Sequence, residues 1–191
     1  LAWHGRRHGP AAGPVGLRQE EVTLIAETLI TPRLILRQPK SADLPVYTAY
    51  CASDRSAFVG GPYDAVKAFE KFCAMVGHWT IRGFGRYVIE RGGEPIGHVG
   101  PMLLTDGIPE LTWTLWDGSA EGQGYASEAA HATARHLLVD CGWDSLQISI
   151  LNDNAASKAV AARIGAKPSD HPAPDWYPGA LIYDLDARCL I

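Results

Sequence analysis

The stretch EGQGYASEAA, residues 121–130, sets two glycines in front of a run of good helix formers. A second helix start, NDNAASKAVAARIGA at 152–166, is rich in asparagine and carries Ser157 in its first turn. Glycine is poor inside a helix, but it admits backbone conformations that other residues avoid. A glycine-bearing turn that feeds a helix leaves the first N–H groups of that helix unpaired. The helix dipole favours negative charge there by roughly 0.3–1 kcal/mol. With no side chain at Gly122 or Gly124, the main chain can close on a bulky anion such as a phosphate. The chemistry predicted for the turn is anion holding by backbone amides; the alternative is a plain tight connection between a strand and a helix.

Two nucleotide signatures are missing from this turn. No Gly-Lys-Ser or Gly-Lys-Thr follows it, as a Walker loop needs, and Ser127 stands where the third glycine of GxGxxG would fall. ATP and NAD are therefore disfavoured as ligands. At the second helix start, Asn152 and Asn154 offer polar contacts, although asparagine is also a favoured N-cap. Ser157 is either an outward donor or a first-turn serine that supports its own helix.

The elements that position these residues follow from periodicity. LITPRLILR (29–37) reads as one strand with Leu34 and Leu36 on one face, and SADLPVYTAYCAS as a helix capped by Ser41 with Asp43 in its first turn. In PYDAVKAFEKFCAMVGHW, residues Val66, Phe69, Phe72, Cys73 and Val76 fall at helical spacing. Gly92-Gly93 marks a hairpin between RYVIE and EPIGHVGPMLL, and PELTWTLW is a further strand. Beyond the glycine turn, YASEAAHATARHLLVDCG is helical, with Ala126, Ala130, Leu137, Leu138 and Cys141 on one stripe and Gly142 as its stop. LQISIL is a strand, the asparagine-started helix closes at Gly165, and GALIYDLD is the last strand. Strands in succession and then strand–helix–strand–helix–strand describe an α/β protein with a mixed sheet.

The bulk numbers narrow the partners. The 191 residues suffice for one domain with a sizeable core, and 47% apolar with 20% charged residues is ordinary for a soluble globular protein. A net charge of -4 argues for neither nucleic acid nor an anionic membrane as partner. Cys51, Cys73, Cys141 and Cys189 are scattered without CxxC spacing, and His131 and His136 are five apart, so no metal site is expected. Reduced thiols point to the cytoplasm. Residues 1–22 mix Gly, Pro and Arg without periodicity and read as a flexible extension before a single domain over 23–191. Arg6-Arg7 is not followed by the apolar stretch of an export signal, and no run approaches the ~18 apolar residues of a membrane span.

These segments together resemble the GNAT N-acetyltransferase superfamily, in particular its RimJ/RimL-like branch of ribosomal-protein alanine acetyltransferases. The family's acyl-CoA loop, Arg/Gln-x-x-Gly-x-Gly/Ala, is matched by Gly124 and Ala126, with Glu121 in the Arg/Gln place. GYASEA stands for the branch's GYATEA, and Asn154, Ser157, Gly165 and Ala166 for its NxxS…GF element. TPRLILR, GHWTIRGFG and PELTW also look like its earlier segments, so the likeness runs over about residues 29–167. The resemblance implies a fold whose central strands splay so that pantetheine inserts between them like an extra strand. Acetyl-CoA is then the co-substrate. Its pyrophosphate lies on the amides of Gly122, Gln123, Gly124, Tyr125, Ala126 and Ser127, its arm faces the backbone of Thr114, Leu115 and Trp116, and Asn152 and Asn154 add polar contacts.

The implied chemistry is direct acetyl transfer to a primary amine, of a protein N-terminus or of a small molecule. An alkylammonium with pKa near 10.4 costs about 4–5 kcal/mol to deprotonate at neutral pH. Glu110, where the branch often has an acid, is the candidate base acting through water, its alternative being a charged cap on an exposed strand. A backbone N–H near Trp113 to Leu115 is the oxyanion donor, and Ser157 donates to the leaving thiolate. Tyr125 packs rather than reacts, and Cys141 is a core residue with no base in sight, which favours direct transfer over a covalent acyl-enzyme. Trp79, Phe84, Trp113 and Trp116 could line an acceptor pocket or belong to the core, and Asp175, Trp176 and Tyr177 fall on the acceptor side. A non-catalytic acyl-CoA-binding or regulatory module of the same fold is the alternative, and a homodimer is compatible with all of this.

Overall fold

The computed structural model describes residues 24–190 apart from Asp106. The extension expected over residues 1–22 lies outside the described residues.

Eight strands form one mixed sheet. In chain order they are β1 (Thr28–Ile30), β2 (Ile35–Arg37), β3 (Tyr87–Arg91), β4 (Glu94–Met102), β5 (Glu110–Leu115), β6 (Leu146–Leu151), β7 (Lys167–Ser169) and β8 (Ala180–Leu185). Across the sheet the order is β1-β2-β3-β4-β5-β6-β8-β7, antiparallel except for the parallel pair β5–β6. Among the described residues four α-helices accompany it: α1 (Leu44–Cys51), α2 (Ala65–Arg82), α3 (Tyr125–Arg135) and α4 (Ala155–Arg163). None of the described helices is long and apolar enough to cross a membrane.

The pleat sorts β5 between two cores. Leu111 is buried, and Trp113 and Leu115 pack, in the larger cluster with Tyr87, Ile89 and Val99, beneath Ala129, Ala130, Ala134 and Leu137 of α3 and its continuation. Trp116 joins the smaller cluster with Val88 of β3, Tyr47 and Tyr50 of α1 and Phe72 and Met75 of α2. The sheet is thus covered on both faces, so that on β5 Glu110 is buried and Thr112 and Thr114 are half-buried.

Several local expectations are corrected. LITPRLILR is two strands, because Thr31 N–H bonds Leu34 O and closes a tight turn around Pro32 between β1 and β2. Leu34 and Leu36 are nevertheless buried together, as their spacing required. Ser41 does not cap α1; it opens a short 3-10 turn, and Asp43 accepts the Lys40 N–H at 2.7 Å while pairing with Arg37 at 2.8 Å. On α2 the buried stripe is Ala68, Phe72, Met75 and Trp79. The expected stripe faces outward apart from Phe72, with Val66 70% and Phe69 54% exposed. The Gly92-Gly93 hairpin stands, with Arg91 paired to Glu94 and positive φ at both glycines. The α3 helix runs on through a wider π turn (His136–Asp140) to Gly142, leaving Ala126 and Cys141 half-buried.

Candidate active site

The defining feature is a split. β5 and β6 run parallel but pair at one position only, Glu110 with Gln147, supported by the Gln147 N–H to Pro109 O bond of 3.0 Å. Beyond it the strands part toward their C-terminal ends. Trp116 gives its N–H to Ile96 O on β4, and backbone groups alternate sides along a strand. Trp113 and Leu115 therefore turn their N–H and C=O groups into the split, whereas Thr114 and Trp116 turn theirs to β4. The Leu115 carbonyl accepts from Arg55 at 3.0 Å. The donors that an inserted arm would meet on β5 are thus those of Trp113 and Leu115. Of the three residues expected to face it with their backbone, geometry favours Leu115.

At the open end lies the glycine turn. Gly122 and Gly124 have φ of 70° and 79°, a region glycine reaches without strain. Glu128 N–H makes the first bond of α3, to Gly124 O at 3.0 Å. The N–H groups of residues 122–127 make no hydrogen bond with any described residue. A Cβ at Gly122 would stand in open space, and one at Gly124 would approach only Arg33 at 3.5 Å. Six unpaired amides around a helix start, with the Ser127 hydroxyl buried and unpartnered beside them, fit a phosphate group.

Two residues that the sequence reading passed over brace this turn. Arg33 donates to Gln123 O at 2.9 Å, pairs with Glu128 at 2.6 Å, and lies with Arg91 over the Tyr125 ring at 4.6 and 5.0 Å. Glu128 also accepts from Thr31 Oγ1. Burial works to raise the Glu128 carboxyl, but the bonds from Thr31 and Arg33 outweigh it and hold it below its usual range. Tyr125 packs, as expected, and is buried. Glu121, the departure from the family loop, is 62% exposed and tied to Arg55 at 2.7 Å. Through Arg55, which also reaches Leu115 O, it ties the segment after α1 to the start of the glycine turn.

At the closed end stands Glu110, 9% exposed. It does not cap an exposed strand. Its Oε1 accepts the Ser149 N–H at 3.2 Å, where the β5–β6 ladder has just opened. Burial pushes its carboxyl up to about 7, against the opposing bonds from Ser149 and the charge of Arg86. A cavity of about 210 Å³ reaches it, lined also by Leu104, Ile108, Gln147, Pro174 and Trp176. Next to Trp176 in the chain, Tyr177 donates its hydroxyl to Phe58 O and ties this loop to the segment after α1. Behind Glu110 on the same face, His98 is buried and accepts from Trp116 Nε1 at 2.8 Å. Burial and the Arg86 charge hold its pKa well below the usual range, so it is neutral.

The remaining candidates divide. Asn154 is the N-cap of α4, its side-chain oxygen taking the Ser157 N–H at 3.0 Å. Asn152 is exposed, with its carbonyl held by Lys158. Ser157 is half-buried at the start of α4, and its hydroxyl bonds no described residue, which leaves it free to donate outward. Trp79 and Phe84 belong to the packing: Trp79 donates to Arg86 O, and Phe84 stacks edgewise on Trp143. Trp116 is buried and Trp113 half-buried, on opposite faces. Asp175 and Trp176 are exposed. Cys141 lies 3.5 Å from His136, but burial raises its thiol pKa and it stands beyond the far end of α3. A larger cavity of about 520 Å³, between Thr31, His131 and Arg163, touches neither Glu110 nor the inner edge of β5.

Residues 33–167 match the model of the acetyltransferase (GNAT) domain, a span that covers the split, the glycine turn and Glu110. The chain belongs to the GNAT acetyltransferase family. It is an enzyme of this type, with the family's mixed sheet and splayed central strands. Among solved structures, it is 35% identical to an acetyltransferase from Agrobacterium tumefaciens str. C58, with a TM-score of 0.75 over 91% of this chain and 99% of that one. A GNAT-family acetyltransferase from Bordetella pertussis shares the fold at 24% identity, TM-score 0.70, over 83% of this chain and 99% of that one. Mycobacterium smegmatis RimJ, solved with a CoA disulfide, shares it at 16% identity, TM-score 0.65, over 81% and 82%. No curated protein sequence matches the chain.

Proposed function

We propose that the protein transfers an acetyl group from acetyl-CoA directly to a primary amine, on a peptide N-terminus or a small molecule. The observation that carries the reading is the split itself. Free main-chain amides stand at its open end, and at its closed end a buried carboxyl is poised near neutral pH. The five steps from Glu110 to Leu115 span about 17 Å of extended strand, suited to a long linear arm that ends beside the carboxyl. RimJ, which shares the fold, was solved in complex with a CoA disulfide, which supports CoA as the ligand of such a split.

In this reading the acetyl-CoA supplies an activated thioester, and the chain supplies the rest. Residues 122–127 hold the phosphates, and Trp113 and Leu115 offer backbone N–H donors to the carbonyl oxygen, a donor of this kind being worth about 3–4 kcal/mol. Glu110, ionised, takes the proton of the incoming ammonium, directly or through one water, since a base near pH 7 suits that task. Ser157 donates to the departing sulfur.

The test mixes protein, acetyl-CoA and a panel of primary amines, and follows free thiol. Amine-dependent thiol release is expected, together with a rise in melting temperature on adding CoA but not ATP or NAD. A CoA shift without amine-dependent release would leave a binding module. An equal shift with ATP would contradict the assignment of the turn.

A further inference from the structure

We infer that the amine acceptor carries an oxyanion, a carboxylate or a phosphate close to its nitrogen, and that Arg86 binds it. The inference rests on Glu110 facing the acceptor, as proposed above. Tyr87 pairs with Val99, so the same register sets Arg86 opposite Gly100, and Gly100 pairs with Thr112. Directly paired residues share a face of an antiparallel sheet. Arg86, Gly100 and Thr112 therefore form one row, flanked by Met102 and Glu110 on one side and by Val88, His98 and Thr114 on the other. At Gly100 a Cβ would strike Gly85 O at 2.6 Å and Arg86 Cα at 2.8 Å, so only glycine lets Arg86 occupy this place.

The guanidinium in that row has no partner among the described residues. Arg33, Arg37, Arg55 and Arg188 each hold a carboxylate, whereas Arg86 makes neither an ion pair nor a side-chain hydrogen bond. Glu110 acts on it only at a distance, for no oxygen of that carboxyl pairs with it within 4 Å and Oε1 is bound to Ser149. Burial pulls the Arg86 pKa down against the pull of Tyr47, Glu110 and Tyr50, and an arginine does not escape such a site by losing its proton. Arg86 is half-buried, and a partly shielded cation without an ion-pair partner carries a cost that a ligand relieves when it brings the missing charge. The guanidinium fork matches two oxygens of a carboxylate or phosphate. A short amine bearing such a group presents its nitrogen to Glu110 and its oxyanion to Arg86 at once.

The experiment compares matched acceptors: ω-amino acids with one to three methylenes against their amides, and aminoalkyl phosphates against the corresponding amino alcohols. Two readouts are taken on wild type, Arg86→Met and Arg86→Lys: kcat/KM, and the melting temperature with CoA present. Wild type is expected to prefer one oxyanion series over its neutral twins by at least tenfold, about 1.4 kcal/mol. Arg86→Met brings the ratio to within about twofold, Arg86→Lys keeps part of it, and both variants retain the shift produced by CoA itself. The identity of the preferred series separates carboxylate from phosphate. No preference in wild type overturns the inference. So does an equal loss for every amine with the acid limb of the pH profile displaced, which would make Arg86 an electrostatic support of Glu110. If no amine is turned over, the transferase reading fails, yet the thermal readout still decides. A shift with the oxyanion member that Arg86→Met abolishes supports the site, and equal shifts for both members sink it.

Discussion

At the open end of the split, residues 122–127 offer main-chain N–H groups and almost nothing else; at the closed end, Glu110 offers one carboxyl whose properties are made by its neighbours. The open end owes its function to missing side chains, and its amides carry no charge that titrates. The closed end owes its function to burial, a bond from Ser149 and the nearby Arg86, so it answers to pH. Binding by backbone is robust to everything except a side chain in the wrong place. A poised carboxyl is sensitive to each group around it. The two ends should therefore fail differently when altered.

The largest effect expected is at the closed end. Glu110→Gln keeps size and burial but cannot take a proton, and turnover at neutral pH should fall roughly 10²–10⁴-fold while the CoA-induced thermal shift persists. A loss of less than a few-fold, measured by thiol release, would make Glu110 a bystander. At the open end, Gly124→Val should do the converse. The residue sits at φ 79°, which a β-branched side chain resists, and the new methyls enter the space the anion needs. CoA affinity should drop by about 100-fold or more, removing about 2.3 kcal/mol of the ~2.7 kcal/mol of ligand stabilisation at a concentration of 100 wild-type Kd. Wild-type affinity in that variant, by calorimetry, would place the phosphates elsewhere.

The pH dependence of stability separates the ends further. Glu110 is raised from 4.5 to about 7 by burial, so between those values the folded protein keeps a proton that the unfolded chain has lost. Stability contributed by this group is full below pH 4.5 and declines as pH rises through 7, by about 3 kcal/mol in all. Denaturant unfolding from pH 5 to 8 should show this decline in wild type and not in Glu110→Gln; parallel curves would mean that the carboxyl is not raised. The smallest effect belongs to the brace of the turn. The Arg33–Glu128 pair is half-exposed, and Arg33→Ala should cost about 1 kcal/mol, lowering the melting temperature by about 2–4 °C. A few-fold loss of CoA affinity should accompany it, and an unchanged affinity would show that the turn holds its shape unaided.

The contrast between the two ends also governs what could be read in the sequence. Gly122, Gly124 and the Asn154–Gly165 helix are local: each demands a residue type at a fixed offset, and each stands where the pattern put it. The Gly92-Gly93 hairpin is legible for the same reason. Glu110 stands out only through the family resemblance, and its burial is not legible in the sequence, because it depends on β6 arriving beside β5 for one residue pair only. Arg86 shares the face of His98 and Glu110 through the register of three strands, and nothing in its own neighbourhood announces that. Arg33 and Glu128 meet across 95 residues of chain. The buried face of α2 is not legible in the sequence because that helix carries apolar residues on two sides, and Ala68 and Met75 signal a core more faintly than Val66 and Phe69 do. Pattern fixes the elements; packing between distant elements chooses which face is covered and which carboxyl is poised.

The most direct test of the account is the pH–rate profile of kcat/KM for wild type and Glu110→Gln with one amine of known pKa. The account predicts an acid limb in wild type with an apparent pKa near 7, absent from the variant, and a deficit in the variant that shrinks as pH approaches the pKa of the amine, where free amine forms without help. A deficit of constant size at every pH, or an acid limb that survives the substitution, would contradict it.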